Sequence, residues 1–180
     1  MYKGTGASAG IGIGKVVIVE EKELVIKREN VTDAAAEIQR FKGALETSMK
    51  QTEALAADLA QRVGEKEAEI LNGHIMLLSD PMLTGEIEAM ITNDSINSEF
   101  AIETVCTNYA NVFASMGDEL MQQRATDMKD IKTRMQKVLL GVESVDIAAL
   151  PEGSIILAKD LTPSMTAGIN PANVTGIVTE

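Results

Sequence analysis

The sequence predicts an α-rich α+β fold: a discontinuous α/β domain, split between the two ends of the chain, with an antiparallel helical bundle inserted into it. Three observations carry this reading. Residues 1–31 are rich in Gly, Val and Ile. Residues 33–141 show no strong strand pattern, few breakers, and apolar side chains at three- and four-residue spacing. Residues 145–180 return to Val, Ile, Gly, Pro and Thr. The 180 residues, 45% of them apolar, suffice for one ordinary domain or two small ones with a real core.

The elements follow in order. Lys15 to Glu20 contains a β-branched run that reads as a strand, and 24–27 offers a second. Ile38, Phe41, Leu45, Met49, Thr52, Leu55, Leu59 and Val63 fall on one stripe of a long helix. Thr32 or Asp33 can cap its start, and Gly64 can end it. Glu65 to Leu78 forms the next segment. Ser79-Asp80-Pro81 then places a capping side chain before a proline suited to a first helical position. Leu83, Ile87, Met90 and Ile91 point inward from the helix that follows, which Asn93-Asp94-Ser95 breaks. From Asn97 or Ser98 the stripe resumes through Ile102, Val105, Tyr109, Val112, Phe113 and Met116. Gly117-Asp118 interrupts or kinks it, and Leu120 to Leu139 continue it as far as a C-cap at Gly141. Long helices joined by short turns make an antiparallel bundle. Ser154 to Ala158 and Val174 to Thr179 read as strands, with a short helix entered through Pro163 between them. The chain stops after an apolar strand with nothing to cover it, so the α/β part is expected to be incomplete.

Composition excludes several functions. Sixteen basic against 27 acidic residues give a net charge of -11, which repels nucleic-acid phosphates and anionic membrane surfaces. The same charge favours a basic partner. Aromatic residues at 3%, with no Trp, provide no base-stacking platform. One cysteine, Cys106, allows no internal disulfide, and one histidine, His74, excludes a His-rich metal site. No apolar run reaches membrane-spanning length and no signal-peptide core is present, so the chain reads as cytoplasmic.

The glycine run Gly10-Ile-Gly-Ile-Gly14-Lys15 misses the phosphate-loop spacing and reads as a turn into the first strand. His74 has Ile70, Leu71, Leu77 and Leu78 at helical spacing, which suits a packed structural histidine better than a phosphoryl acceptor. Met76 sits off the strongest apolar stripe and reads as part of an exposed patch. Glu65, Glu67 and Glu69 form either a solvated helix start or an acidic rim for a basic partner.

Four stretches together resemble one family. They are Gly6 to Lys15, Gly73-His-Ile-Met-Leu-Leu-Ser-Asp80, Arg124-Ala-Thr-Asp-Met-Lys-Asp-Ile131 and Asp160-Leu-Thr-Pro-Ser-Met-Thr-Ala167. In this order they resemble the N-terminal region of enzyme I, the phosphoenolpyruvate-protein phosphotransferases of the bacterial sugar phosphotransferase system. The resemblance implies an α/β phosphohistidine domain over 1–31 and 145–180, and an inserted helical domain over 33–141 that docks the phosphocarrier protein HPr. It implies transfer of a phosphoryl group from phosphoenolpyruvate through an enzyme histidine to HPr. The family's acceptor motif, Gly-Gly-Arg-Thr-Ser-His, is expected just beyond Glu180, so no catalytic residue is assigned within this chain. Carried over residue by residue, the docking face comprises Glu65, Glu69, His74, Met76, Leu77, Asp80, Leu83 and Arg124. Thr166 matches the hydroxyl beside the acceptor histidine. A C-terminal barrel would bind phosphoenolpyruvate and Mg2+ and make the homodimer contact, leaving no cofactor in this chain. Two competing readings are another phosphohistidine enzyme, of the pyruvate phosphate dikinase or phosphoenolpyruvate synthase kind, and a non-enzymatic helical interaction module.

Overall fold

A computed structural model describes residues 4–21 and 23–180. The described residues form β1 (Lys15–Val19), α1 (Ala34–Arg62), α2 (Glu65–Leu78), α3 (Pro81–Asp94), α4 (Ser98–Ser115), α5 (Glu119–Leu140), β2 (Ser154–Ala158), α6 (Pro163–Gly168) and β3 (Val174–Val178). The chain divides into two compact units. One holds residues 1–20, 145–161 and 169–180; the other holds 21–144 and 162–168.

The first unit is a three-stranded parallel sheet in the order β1-β2-β3. Lys15 pairs with Ser154 and Val19 with Ala158, while an irregularity between Ser154 and Ile155 shifts the β3 register. Parallel neighbours need a crossover, and between β1 and β2 that crossover is the whole helical insert. Side chains at paired positions share a face. Val16, Ile18, Leu157 and Val178 therefore lie on one face, and all four are exposed. The other face buries Val19, Ile156 and Ala158. The glycine-rich lead-in serves backbone packing: a Cβ at Gly14 would overlap the Gly153 carbonyl, and one at Gly12 would overlap that of Thr175. A phosphate cradle is not needed to explain it.

The second unit is helical. Asp33 caps α1, its carboxylate accepting from Ala36 N at 2.9 Å. Asp80 caps α3 ahead of Pro81, accepting from Met82 N at 2.8 Å. Asp118 caps α5, and Gly141 ends it in a left-handed conformation. The turn at 116–118 is a full break, so the last helical stretch is two helices, α4 and α5. Gln136 reaches Glu99 and Glu103, and Lys132 reaches Glu103, a descending register that makes the pair antiparallel. The core draws Phe41 from α1, Leu78 from α2, Ile87 and Ile91 from α3, Ile102 and Val105 from α4, and Met128, Ile131 and Met135 from α5. Cys106 is buried in this core as a free thiol, and burial pushes its pKa up to about 12.

Three expectations need correction. Residues 24–27 form no strand; the segment behind them straps onto the turn between α3 and α4. Val31 N donates to Ser95 O, Asn97 N donates to Glu29 O, and the Asn97 amide holds Glu29 N and Lys27 O. This strap lies with the helical unit, although the sequence placed 1–31 in the α/β part. The same holds for α6. Asp130 accepts from Ser164 N at 2.7 Å and Ser164 Oγ at 2.8 Å, while Arg62 donates to Ala167 O at 2.9 Å. These bonds tie α6 to α5 and α1. Finally, Val112 and Met116 are exposed, because the end of α4 outruns its neighbours' apolar cover.

Protection should follow these differences. Amides in the cores of α4 and α5 should exchange with solvent far more slowly than those of β1 and β3, which lie at the sheet edges. Hydrogen exchange read by mass spectrometry checks this; equal protection in both would contradict it.

Candidate partner-docking face

The face assigned from sequence is built on α2, the start of α3 and α5. Glu65, Glu67 and Glu69 occupy the first turns of α2, where the positive end of the helix dipole favours acids. Glu65 and Glu69 are exposed. Met76 projects from the same helix with 70% of its surface in water, which leaves a large apolar side chain open on this face. Met82, in the first turn after the Asp80 cap, is equally open at 72%. Leu77 is half-buried and packs on the core.

Two of the assigned residues lie beneath the face rather than on it. Leu83 belongs to the core. His74 has no accessible surface, and its Nε2 lies 3.2 Å from Asp127 Oδ1. A carboxylate only accepts, so Nε2 donates. Neither side chain is available to a partner directly, and the structural reading of His74 prevails. A surface phosphoryl acceptor would need an open ring nitrogen.

Arg124 joins α5 to this face. Its Nη1 lies 3.4 Å from Asp127 Oδ2, and its guanidinium rests over Gly73 of α2. Sequence reasoning quoted Asp127 within the Arg124 to Ile131 motif without giving it a role. The available signal was its i+3 spacing from Arg124, which places both on one side of α5. On α4, burial and a hydrogen bond with Glu86 push the Tyr109 phenol above its ordinary range, with Glu86 and Asp80 charges adding to the effect. Between α1 and α2 runs a groove of about 440 Å³, floored by Ala56, Ala57, Ala60 and Ala68 and edged by Glu53 and Glu65. Thr166 is exposed on α6, and its hydroxyl donates to Thr162 O at 3.1 Å.

Among the described residues, no three His, Cys, Asp or Glu side chains converge as a metal site. No helix there is long and apolar enough to cross a membrane.

The sheet is thus interrupted by a helical insert, and that insert carries open Met76 together with exposed Glu65 and Glu69. The chain belongs to the family described as PEP-utilising enzyme, N-terminal, whose model matches residues 3–124. Within that family it is similar to enzyme I. The phosphoenolpyruvate-protein phosphotransferase of Bacillus subtilis (strain 168) is 38% identical over 178 residues, which is 99% of this chain and 31% of that protein. The enzyme of the same name from Listeria monocytogenes is 39% identical over the same span. The chain thus spans about a third of the length of these curated relatives and corresponds to their N-terminal domain. A solution structure of an Enzyme I protein superposes with a TM-score of 0.89 at 35% identity, covering 99% of this chain and 73% of that one. A structure described as the N-terminal domain of Enzyme 1 - Nitrogen gives 0.68 at 25% identity, covering 94% and 70%.

Proposed function

We propose that this chain is the carrier-docking part of a phosphoenolpyruvate-protein phosphotransferase, working in the cytoplasm. The whole enzyme moves a phosphoryl group from phosphoenolpyruvate, through its own histidine, to HPr. The observation that carries the reading is the open Met76 on α2, with Glu65 and Glu69 exposed earlier on the same helix and the Arg124 guanidinium against Gly73, one turn before Met76. An apolar anchor inside an acidic rim suits a small basic carrier: the rim steers approach and raises the association rate, and the anchor supplies the desolvated contact. Asp80 serves the face by fixing the start of α3. His74 and Leu83 support it from within. The sheet unit would belong to the swivelling phosphohistidine domain, with Thr166 supplying a hydroxyl near the acceptor histidine. Magnesium and phosphoenolpyruvate would bind in a C-terminal barrel that also makes the homodimer contact, so no residue here is assigned to them. Such a transfer partner needs brief encounters, for which micromolar affinity suffices.

Titration of isotope-labelled, unphosphorylated HPr with this chain tests the reading by NMR. Salt-sensitive shifts around the carrier's active histidine are expected. Absence of shifts at every ratio, with the chain folded by circular dichroism, would overturn it. Met76→Ala should weaken binding about tenfold, the effect of truncating a central anchor worth about 1–2 kcal/mol, as read by calorimetry. Glu65→Gln and Glu69→Gln should instead slow association, with the difference fading at high salt.

A further inference from the structure

We propose that Gly73, Asp127 and His74 act together to position the Arg124 guanidinium on the docking face, and that Gly73 is glycine for this purpose. The inference rests on the docking reading above.

Gly73 lies inside α2, is buried, and has ordinary helical backbone angles. Helix propensity alone favours alanine at such a position by about 1 kcal/mol. The backbone therefore gives no reason for a glycine. The reason lies across the helix pair. A Cβ at residue 73 would overlap Arg124 Nη1 and stand 3.3 Å from Cζ and 3.5 Å from Nη2. The guanidinium occupies the space that a side chain would take.

The charge is held from the other side. Asp127, one turn along α5, has a side chain only 6% exposed. One of its oxygens faces Arg124 Nη1 and the other faces His74 Nε2. The carboxylate thus bridges a buried ring on α2 and a partly open guanidinium on its own helix. Among the described residues no protein group hydrogen-bonds the buried His74 Nδ1, and the polar contact of the ring is Asp127. Through these two contacts the ring orients the carboxylate, and the carboxylate orients Arg124. A guanidinium carries five N–H donors, and the 3.4 Å contact to Asp127 engages one of them. Others remain for an acceptor oxygen on the incoming partner. On a face otherwise rimmed by acids, this sets a separate requirement: the partner must present an acceptor opposite Arg124, in register with its basic residues.

The test combines stability with affinity. Gly73→Ala should leave the melting temperature unchanged or raise it, because the atom displaced is the far end of a flexible side chain. It should nonetheless weaken HPr binding about tenfold. Arg124→Ala should weaken binding similarly, and the double variant should add less than twofold, since both changes remove one interaction. In the free protein, the Nε–Hε resonance of Arg124 should move in Gly73→Ala and in Asp127→Asn, a signature that a packing role would leave alone. If Met76→Ala and Arg124→Ala both bind as the parent does, the docking reading itself fails. If those two weaken binding while Gly73→Ala binds normally with an unmoved Arg124 resonance, the positioning proposal fails alone. Should Gly73→Ala not fold, Asp127→Asn with the same two readouts decides the matter.

Discussion

Truncating Phe41 to alanine should cost the helical unit about 3–5 kcal/mol, the range for removing a fully buried aromatic ring. Phe41 has no accessible surface and sits in a cluster fed by all five long helices. Its buried neighbours are Leu, Ile, Val, Met, Ala and Cys106, with Phe100, Tyr109 and Phe113 packed at the margin. A close-packed core relaxes only partly around such a gap, so the lost transfer energy comes with a cavity term. Val112→Ala on the open side of α4 should cost no more than about 0.5 kcal/mol, since Val112 is already 53% exposed. Urea midpoints of the two variants, at unchanged slope, measure the contrast.

Arg40→Ala should also be damaging, by about 1–3 kcal/mol with Arg40 partly open to water, through a charge rather than a void. Glu99 begins α4 and is only 5% exposed. Burial by itself would raise its carboxyl, but hydrogen bonds from Arg40 and Asn97, with the Arg40 charge, hold it below its ordinary value of 4.5. Arg40 meets Glu99 through both Nη atoms and also donates to Leu139 O at 3.1 Å, so one guanidinium joins α1, α4 and the end of α5. Removing it leaves a buried carboxylate with Asn97 as its remaining side-chain donor at 3.1 Å. The pH dependence should then change sign. In the parent chain the folded pKa is depressed, so the Glu99 contribution is present above about 4.5 and lost as pH falls through the lower folded value. In Arg40→Ala, burial raises the folded pKa instead. The variant should lose stability through this group as pH rises above about 4.5. Denaturant midpoints from pH 3.5 to 7 should therefore diverge toward neutral pH. Parallel profiles would show that the carboxylate finds another donor.

Most of the helical layout was legible because it rests on local chemistry. Asp33, the Asp80-Pro81 pair and Gly141 mark helix ends within a residue or two of their effects, and the apolar stripe from Ile38 to Leu59 is periodic. What the sequence concealed depends on distant partners. Leu24 to Lys27 has strand-like residues but no strand to pair with, and the segment behind it gives its hydrogen bonds to the turn at Asn97. The 163–168 helix looks like part of an α/β unit until Asp130 and Arg62 are seen to hold it. At the docking face, the exposure of Met76 was readable from its place off the stripe. The burial of Leu83 was readable too, from its inward spacing with Ile87 and Ile91. The partner of His74 was not, because Asp127 lies 53 residues away and only the packing of α2 on α5 brings the two together.

The route from β1 to β2 has a kinetic meaning. Val19 ends one strand and Ser154 begins its neighbour, with the entire helical insert between them. Closing a flexible loop of that length is entropically costly and slow, and pairing between distant strands delays folding. An already folded insert changes the problem. Glu21 pairs with Lys137, and Glu29 and Val31 are bound at 95–97, so both ends of the insert are tied within the helical unit. Helices formed early from near-neighbour contacts would deliver the two strand ends together and shorten the effective loop. The strand partnership would then form last and open first, after the bundle has folded.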